Sequence, residues 1–296
     1  MTAHLGAPEI VKAVYANHFV ATQPDRLRRL TDLVEKTELN ALFIDIRSNG
    51  GPILAKTDEE TRRLLGSLHD RGIYLAARVV AFQGGPLGWY DPASEARWRR
   101  IAEASAEAVE LGFDEINYDY VRYGAAREPR SPTPEAERAP IIRSFAEFLR
   151  EEVGDRWGRP ISADIFGFTL LGPQALIGQR LADFTELFDY VMPMPYPSHW
   201  GLGTFGIENP AHEPYRIVHA ALSIGERSMA EHPARRARLR SWIQAFDLDS
   251  SQPKRFYRYT PWHVREQIRA CDDVHAAGWC AWNVRGNYDA AAFTPG

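Results

Sequence analysis

Cysteine is scarce: the 296 residues include two, Cys271 and Cys280. A single pair cannot build the disulfide framework of a small secreted domain, and neither residue sits in a CxxC or Cys/His cluster that would suggest zinc. Both are expected as reduced, buried small hydrophobes. A run of about 18 apolar residues, the least a membrane-spanning helix needs, is missing as well. The opening MTAHLGAPEI carries neither the basic nor the apolar segment of a secretory leader, so a cytoplasmic location is expected. No sign of charge dominates, since 35 Lys plus Arg stand against 39 Asp plus Glu for a formal charge of −4. That balance gives no electrostatic reason to expect nucleic acid or an anionic membrane as partner. Phosphate-binding loops are absent too. Gly84-Gly85 lacks the GxGxxG spacing, and Gly50-Gly51 follows a strand without starting a P-loop.

What is present is alternation of two periods. Short β-branched or aromatic runs at 11–18, 41–47, 74–82, 115–122, 161–166, 190–196, 239–246 and 279–284 read as strands. Amphipathic segments at 25–37, 58–71, 92–111, 134–153, 173–188, 214–229 and 261–277 read as helices between them. Several open with Pro or Asp and stop near Gly72, Gly112, Gly154 or Gly278. Strand and helix in strict turn, with crossovers this long, imply parallel pairing. Eight such units close most simply into a single α/β domain over 1–296, a (β/α)8 TIM-type barrel. Too little chain follows residue 284 for a full last helix, which is expected short or missing. Residues 127–138 and 198–213 read as long loops after strands four and six, and the arginine runs 97–100 and 235–240 as solvated helix faces.

In such barrels chemistry sits at the carboxyl ends of the strands. Period-two alternation turns Phe43, Asp45 and Arg47 to one face of strand two, Glu115, Asn117 and Asp119 to one face of strand four, and Ser162, Asp164 and Phe166 to one face of strand five. Their apolar neighbours belong against the helices, so these polar sets face the interior. The same parity adds Arg78, Tyr196, Gln244 and Trp282 or Asn283. Asp119 and Asp164 then emerge near the ends of adjacent strands, and such a carboxylate pair can flank a glycosidic bond. Unequal burial and mutual repulsion would split their pKa values. Tyr118, Tyr120, Tyr123, Trp89, Tyr196, Trp200 and Trp282 could stack on sugar faces. Each residue also has a purely structural reading. Asp119 could be bound by Arg122, Asp164 could cap the turn before Gly167, and Asp45 and Arg78 could form a buried pair fixing the barrel floor. Tyr196 and His199 could pack within a proline-rich loop, and Trp282 could plug the core. Asp189 and Asp114, at the amino ends of their strands, are assigned to stability.

FIDIRSNGG, GIYLAARVVAF, LGFDEINYDYVRY, ISADIFG, DYVMPMPYPSHW, WIQAF and GWCAWN, in that order, resemble the putative glycoside hydrolase domain family of (β/α)-barrel proteins. The match runs from about Val11 to Tyr288. It departs from the family in the short loop GGPLGWYDP after strand three and in Gly124, where the family tends to have Pro. The resemblance implies a TIM-type fold, hydrolysis of a carbohydrate substrate, and no organic cofactor. By analogy with retaining barrel glycosidases, it implies Asp119 as nucleophile and Asp164 as acid/base. The substrate-binding set is then Asn17, Asp45, Arg78, Asn117, Arg122, Tyr196, His199, Gln244, Trp282 and Asn283. Two other readings stay open: a non-catalytic carbohydrate-binding barrel, and a metal-dependent hydrolase using Asp45, Asp119, Asp164 and His199, which no HxH pattern supports.

Overall fold

The computed structural model describes residues 4–46, 54, 57–85, 88–125, 128, 131–248 and 258–294; Arg47, Gly50-Gly51, Arg127, Pro129 and Arg130 lie outside them. The strands among them are β1 (Val11–Ala16), β2 (Ala41–Asp45), β3 (Tyr74–Val80), β4 (Glu115–Asp119), β5 (Ile161–Phe166), β6 (Tyr190–Met194), β7 (Arg238–Leu239), β8 (Ser241–Gln244) and β9 (Gly278–Trp282). All pair in parallel in the order β7-β6-β5-β4-β3-β2-β1-β9-β8. β7 and β8 are two halves of the expected seventh strand, split at Arg240. The first half pairs with β6 and the second with β9, so this one stretch closes the barrel.

Alternation sorts the strand residues as the sequence pattern requires. Leu42, Ile44, Ile116, Tyr118, Ala163 and Ile165 join the cluster under the helices, whereas Tyr15, Phe43, Tyr74, Met192, Tyr196 and Trp242 fill the barrel. The helix layer is α1 (His18–Thr22), α2 (Pro24–Lys36), α3 (Asp58–His69), α4 (Glu95–Leu111), α5 (Glu135–Leu149), α6 (Leu181–Leu187), α7 (Pro214–Ala230) and α8 (Pro261–Asp273). In α2 the buried residues Leu27, Leu30, Thr31 and Val34 recur at the spacing of one helical face. α3 begins with a capping box between Thr57 and Glu60. Among the described residues beyond β9 a 3-10 turn at Ala290–Ala292 stands where a last α-helix would be, in line with the expectation of a short or missing one. Gly278 has φ +119°, and a Cβ there would meet the Val11 carbonyl oxygen at 1.9 Å, so only glycine lets β9 lie against β1.

Four expectations are corrected. Strand one ends at Ala16, because Asn17 caps α1: its side chain accepts a hydrogen bond from the Val20 N–H at 2.8 Å. The helix expected over 173–188 shrinks to Leu181–Leu187, preceded by a turn closed between Gln174 and Gln179. Arg97 is not solvated, since its guanidinium donates to the Ala81 and Val80 carbonyls at 2.8 and 2.9 Å. Arg240 is fully buried and enters the barrel.

That last residue forms the barrel floor. Arg240 Nη1 donates to both oxygens of Glu115, at 2.8 and 3.0 Å, while the Tyr74 and Ser162 hydroxyls donate to the same carboxylate at 3.0 and 2.6 Å. Its guanidinium lies 3.6 Å above the Tyr190 ring. The floor is therefore Glu115–Arg240, and the Asp45–Arg78 pair lies nearer the mouth. Asp189 and Asp114 hold the amino face: Asp189 accepts from the Ile161 N–H at 2.8 Å and Asp114 from the Leu75 N–H at 2.9 Å. Glu115→Gln strands a buried guanidinium without its counter-charge and is expected to cost about 3–5 kcal/mol in urea unfolding; a loss under about 1 kcal/mol would contradict this role of the floor pair.

Candidate active site

β4 and β5 run in register, with Asn117 beside Ser162 and Tyr118 beside Ala163, so the next step up sets Asp119 beside Asp164. Between these carboxylates and Asp45 on β2 lies one guanidinium, that of Arg78 on β3. Its Nη1 donates to Asp45 at 2.5 Å, its Nη2 donates to Asp119 Oδ2, and its Nε lies 3.7 Å from Asp164 Oδ2. Burial opposes the arginine's charge, but the Asp45 and Asp119 carboxylates hold its pKa well above the usual value. Tyr15 on β1 donates its hydroxyl to the other oxygen of Asp45 and lies under the guanidinium, 5.3 Å from ring centroid to cation.

The two aspartates differ in surroundings. Asp119 opens on the barrel mouth; its Oδ1 accepts from the Tyr120 N–H at 2.5 Å. Tyr120 itself has φ +57°, a left-handed backbone costly for a tyrosine, and this turn ends β4 directly after the carboxylate. Asp164 is 1% exposed, a step below the cavity surface. Its Oδ1 accepts from Asn117 Nδ2 at 2.9 Å and from Trp242 Nε1 at 2.6 Å, while its Oδ2 has no hydrogen-bond partner. Burial, reinforced by the Asp119 charge, pushes the Asp164 carboxyl well above the ordinary 3.8, against the opposing pull of Arg78, Asn117 and Trp242. With Oδ1 taking two N–H donors, the proton of the neutral acid belongs on Oδ2.

Above them lies a cavity of about 290 Å³, near the lower end of ligand-site sizes. Arg78 and Asp119 form its polar edge, and Tyr120, Phe166, Tyr196, Trp200, Trp242 and Trp282 supply most of its walls. Tyr196 and Trp282 stack at 6.1 Å, and His199 packs edge-on to Tyr196 at 5.3 Å. Burial lowers the His199 pKa and raises that of Tyr196, so both are neutral donors or acceptors at neutral pH.

Of the residues singled out from sequence, Arg78, Asp119, Tyr196, His199 and Trp282 meet at this cavity. Asp45, Asn117 and Asp164 lie behind it as the polar layer just described. Four expected substrate contacts sit elsewhere, each occupied by the fold. Asn17 joins its cap to the Val284 carbonyl, donating at 2.6 Å. Arg122 is ion-paired with Glu128 at 2.8 Å and lies 4.6 Å above the Phe166 ring and 4.6 Å from the Trp89 ring. Gln244 accepts from the Ser198 hydroxyl at 3.0 Å, and Asn283 donates to the Ala245 carbonyl at 2.6 Å. Tyr118 faces the helices, bonded to Ser105 at 2.9 Å, and Tyr123 is buried beside Arg138. Trp242, Tyr15, Met194 and Phe168 were missed. The parity that singled out Gln244 also points Trp242 inward, and the same rule would have found Tyr15 and Met194; Phe168 lies past its strand and leaves no periodic signal. Among the described residues no group of three or more His, Cys, Asp or Glu is placed to hold a metal ion, and no helix is long and apolar enough to cross a membrane. Cys271 and Cys280 are free and buried.

No curated protein matches this chain significantly. Solved structures share its fold. A class V chitininase from Pseudomonas fluorescens Pf-5 is 13% identical, with 96% of this chain and 97% of that one covered at a TM-score of 0.62. A family GH18 chitinase from Cycas revoluta, crystallised with allosamidin, is also 13% identical, covering 95% and 97% at 0.61. The spore cortex-lytic enzyme SleL of Bacillus megaterium QM B1551 is 10% identical, covering 95% and 72% at 0.58. At such identities the likeness is one of barrel fold. The sequence model of the family described as "Putative glycosyl hydrolase domain" matches residues 83–288, well over half the chain and including β4, β5 and the aromatic cavity. On that match this chain belongs to the glycosyl hydrolase domain family, as a TIM-barrel glycoside hydrolase.

Proposed function

We propose that the protein cleaves a glycosidic bond of an oligo- or polysaccharide with the Asp119–Asp164 pair, retaining the anomeric configuration. The observation that carries this reading is the division between two in-register carboxyls: one paired with Arg78 at the cavity wall, the other kept neutral by burial. Asp119 attacks the anomeric carbon as the glycosidic bond breaks, and the departing oxygen takes a proton from Asp164 Oδ2 by way of one water, because that carboxyl lies behind the cavity wall. Water, deprotonated by the same Asp164 oxygen, then displaces the sugar from Asp119 and restores both groups. Arg78 and the Tyr120 N–H fix the attacking carboxylate, while Asn117 and Trp242 fix the acid. In-register positions on neighbouring parallel strands lie about 4.8 Å apart. Arg78 lies between the two carboxyls, with Nη2 on Asp119 Oδ2 and Nε 3.7 Å from Asp164 Oδ2, and such a close-set pair favours a retaining enzyme over an inverting one. The aromatic walls favour a sugar's C–H faces over a phosphorylated metabolite. The chitinase neighbours make N-acetylglucosamine oligomers the first substrates to try.

Asp119→Asn is expected to lower turnover by at least about 10²-fold on every substrate. Asp164→Asn is expected to lower it about 10²–10⁴-fold on poor leaving groups and far less on activated aryl glycosides, which need little protonation. NMR of the first-formed anomer should show retention. Unchanged turnover in Asp119→Asn, or equal losses across leaving groups in Asp164→Asn, would overturn the assignments.

The raised Asp164 pKa also has a sign in stability. The folded state holds this proton more tightly than the unfolded chain does, so stability is highest in acid and declines as pH climbs from the ordinary 3.8 through the raised value. Asparagine has no such dependence. Thermal melts from about pH 4 to 8 are therefore expected to show Asp164→Asn gaining on the wild type as pH rises; a constant difference would contradict a neutral Asp164.

A further inference from the structure

The cavity wall continues outward into an apolar ledge. Phe168, just past β5, is 40% exposed and packs on Trp200 at 4.5 Å between ring centroids. Phe205, 37% exposed, flanks the same indole at 5.5 Å, and Leu202 on that loop is 65% exposed. Trp200 itself is 4% exposed, a buried plate joining the ledge to the cavity it also lines. Exposed apolar side chains gathered at one place mark an interaction surface rather than a stabilising one.

The loop holding them is built to present Phe205. The Gly203 N–H donates to the Ile207 carbonyl at 2.9 Å, the Thr204 hydroxyl to Gly201 at 2.8 Å, and the Gly206 N–H to Gly203 at 3.0 Å. Ile207, 2% exposed, anchors its far end. Phe205 nevertheless has φ +54°, a conformation that glycine adopts freely and phenylalanine does not. The strain costs the fold while the outer face of the ring stays exposed, which points to a use for that face. Residues 200–207 carry no charge, so the surface suits a neutral ligand. Sugar rings present flat C–H faces to aromatic side chains, and Phe168 and Trp200, which both line the cavity, lead from it onto this ledge.

We propose that Phe168, Leu202 and Phe205, laid over Trp200, form a second glycan subsite that binds the part of a sugar chain running out of the cavity. The substrate is then an extended neutral glycan rather than a single terminal sugar on a small leaving group. This deepens the hydrolase reading and rests on it for its kinetic consequence alone.

The test is Phe205→Gly, which removes the ring and relieves the backbone. Its melting temperature is expected to equal or exceed that of the wild type. With cello-, chito- and xylo-oligosaccharides from dimer to hexamer, the hexamer-to-dimer ratio of kcat/KM is expected to fall about tenfold, and Phe205→Trp to restore it. Native gels containing glycol chitin, hydroxyethyl cellulose or xylan read binding without turnover, so the ledge is tested even if hydrolysis fails. At least one polymer should retard the wild type and not Phe205→Gly. Equal retardation of both proteins, or of neither in any gel, overturns the proposal. So does a lowered melting temperature with glycan behaviour unchanged, or a dimer lost in Phe205→Gly at constant retardation, which would assign the ledge to protein contact.

Discussion

One guanidinium carries the charge of the barrel mouth. Arg78 reaches Asp45, Asp119 and Asp164 from a single position on β3, and it does so almost out of contact with water. Three ionised carboxylates around one cation would leave two excess negative charges in a buried site, a costly arrangement. The arrangement eases if one carboxyl stays neutral. Asp164 is the best placed to do so, because it is the deepest and its unpartnered oxygen can hold the proton. The same constraint thus favours a proton held on one carboxyl of the cluster, the asymmetry on which the proposed hydrolysis rests.

The barrel keeps this arrangement apart from its own stability. Glu115 and Arg240 neutralise each other at the floor, and the Asp114 and Asp189 carboxylates tie down amino-end backbone. Phe43 and Trp242 pack edge-on at 5.7 Å between floor and mouth. Trp242 belongs to both halves: its ring is interior packing, its N–H orients Asp164, and its edge lines the cavity. Residues near the mouth that do not touch the cavity are largely struts. Asn283 and Gln244 hold the loops after β9 and β6, and Arg122 stacks behind Phe166.

What was legible in the sequence was whatever follows from local period and local order. Alternation within FIDIR, INYDY and SADIF suffices to turn Asp45, Asn117, Asp119 and Asp164 inward, because a strand leaves a side chain only two directions. Alternation says nothing about depth, so it could not tell Asp119 at the surface from Asp164 beneath it. Nor could it tell an inward residue with free donors from one already spent: Asn17 is a helix cap, and Gln244 is held by Ser198 from the loop after β6. Arg240 breaks its strand and leaves the solvated run expected of it because of Glu115, 125 residues away, a partner no window of sequence contains. Phe168 and Phe205 follow no period at all, since loop geometry places them.

The central claim is that Asp164 keeps its proton well above the ordinary carboxylate range, and carboxyl carbon NMR of the protein labelled with 13C-aspartate reads it without any substrate. The resonance missing from Asp164→Asn should remain that of a protonated carboxyl well above pH 3.8. Its ionisation at or below that ordinary value would contradict the account.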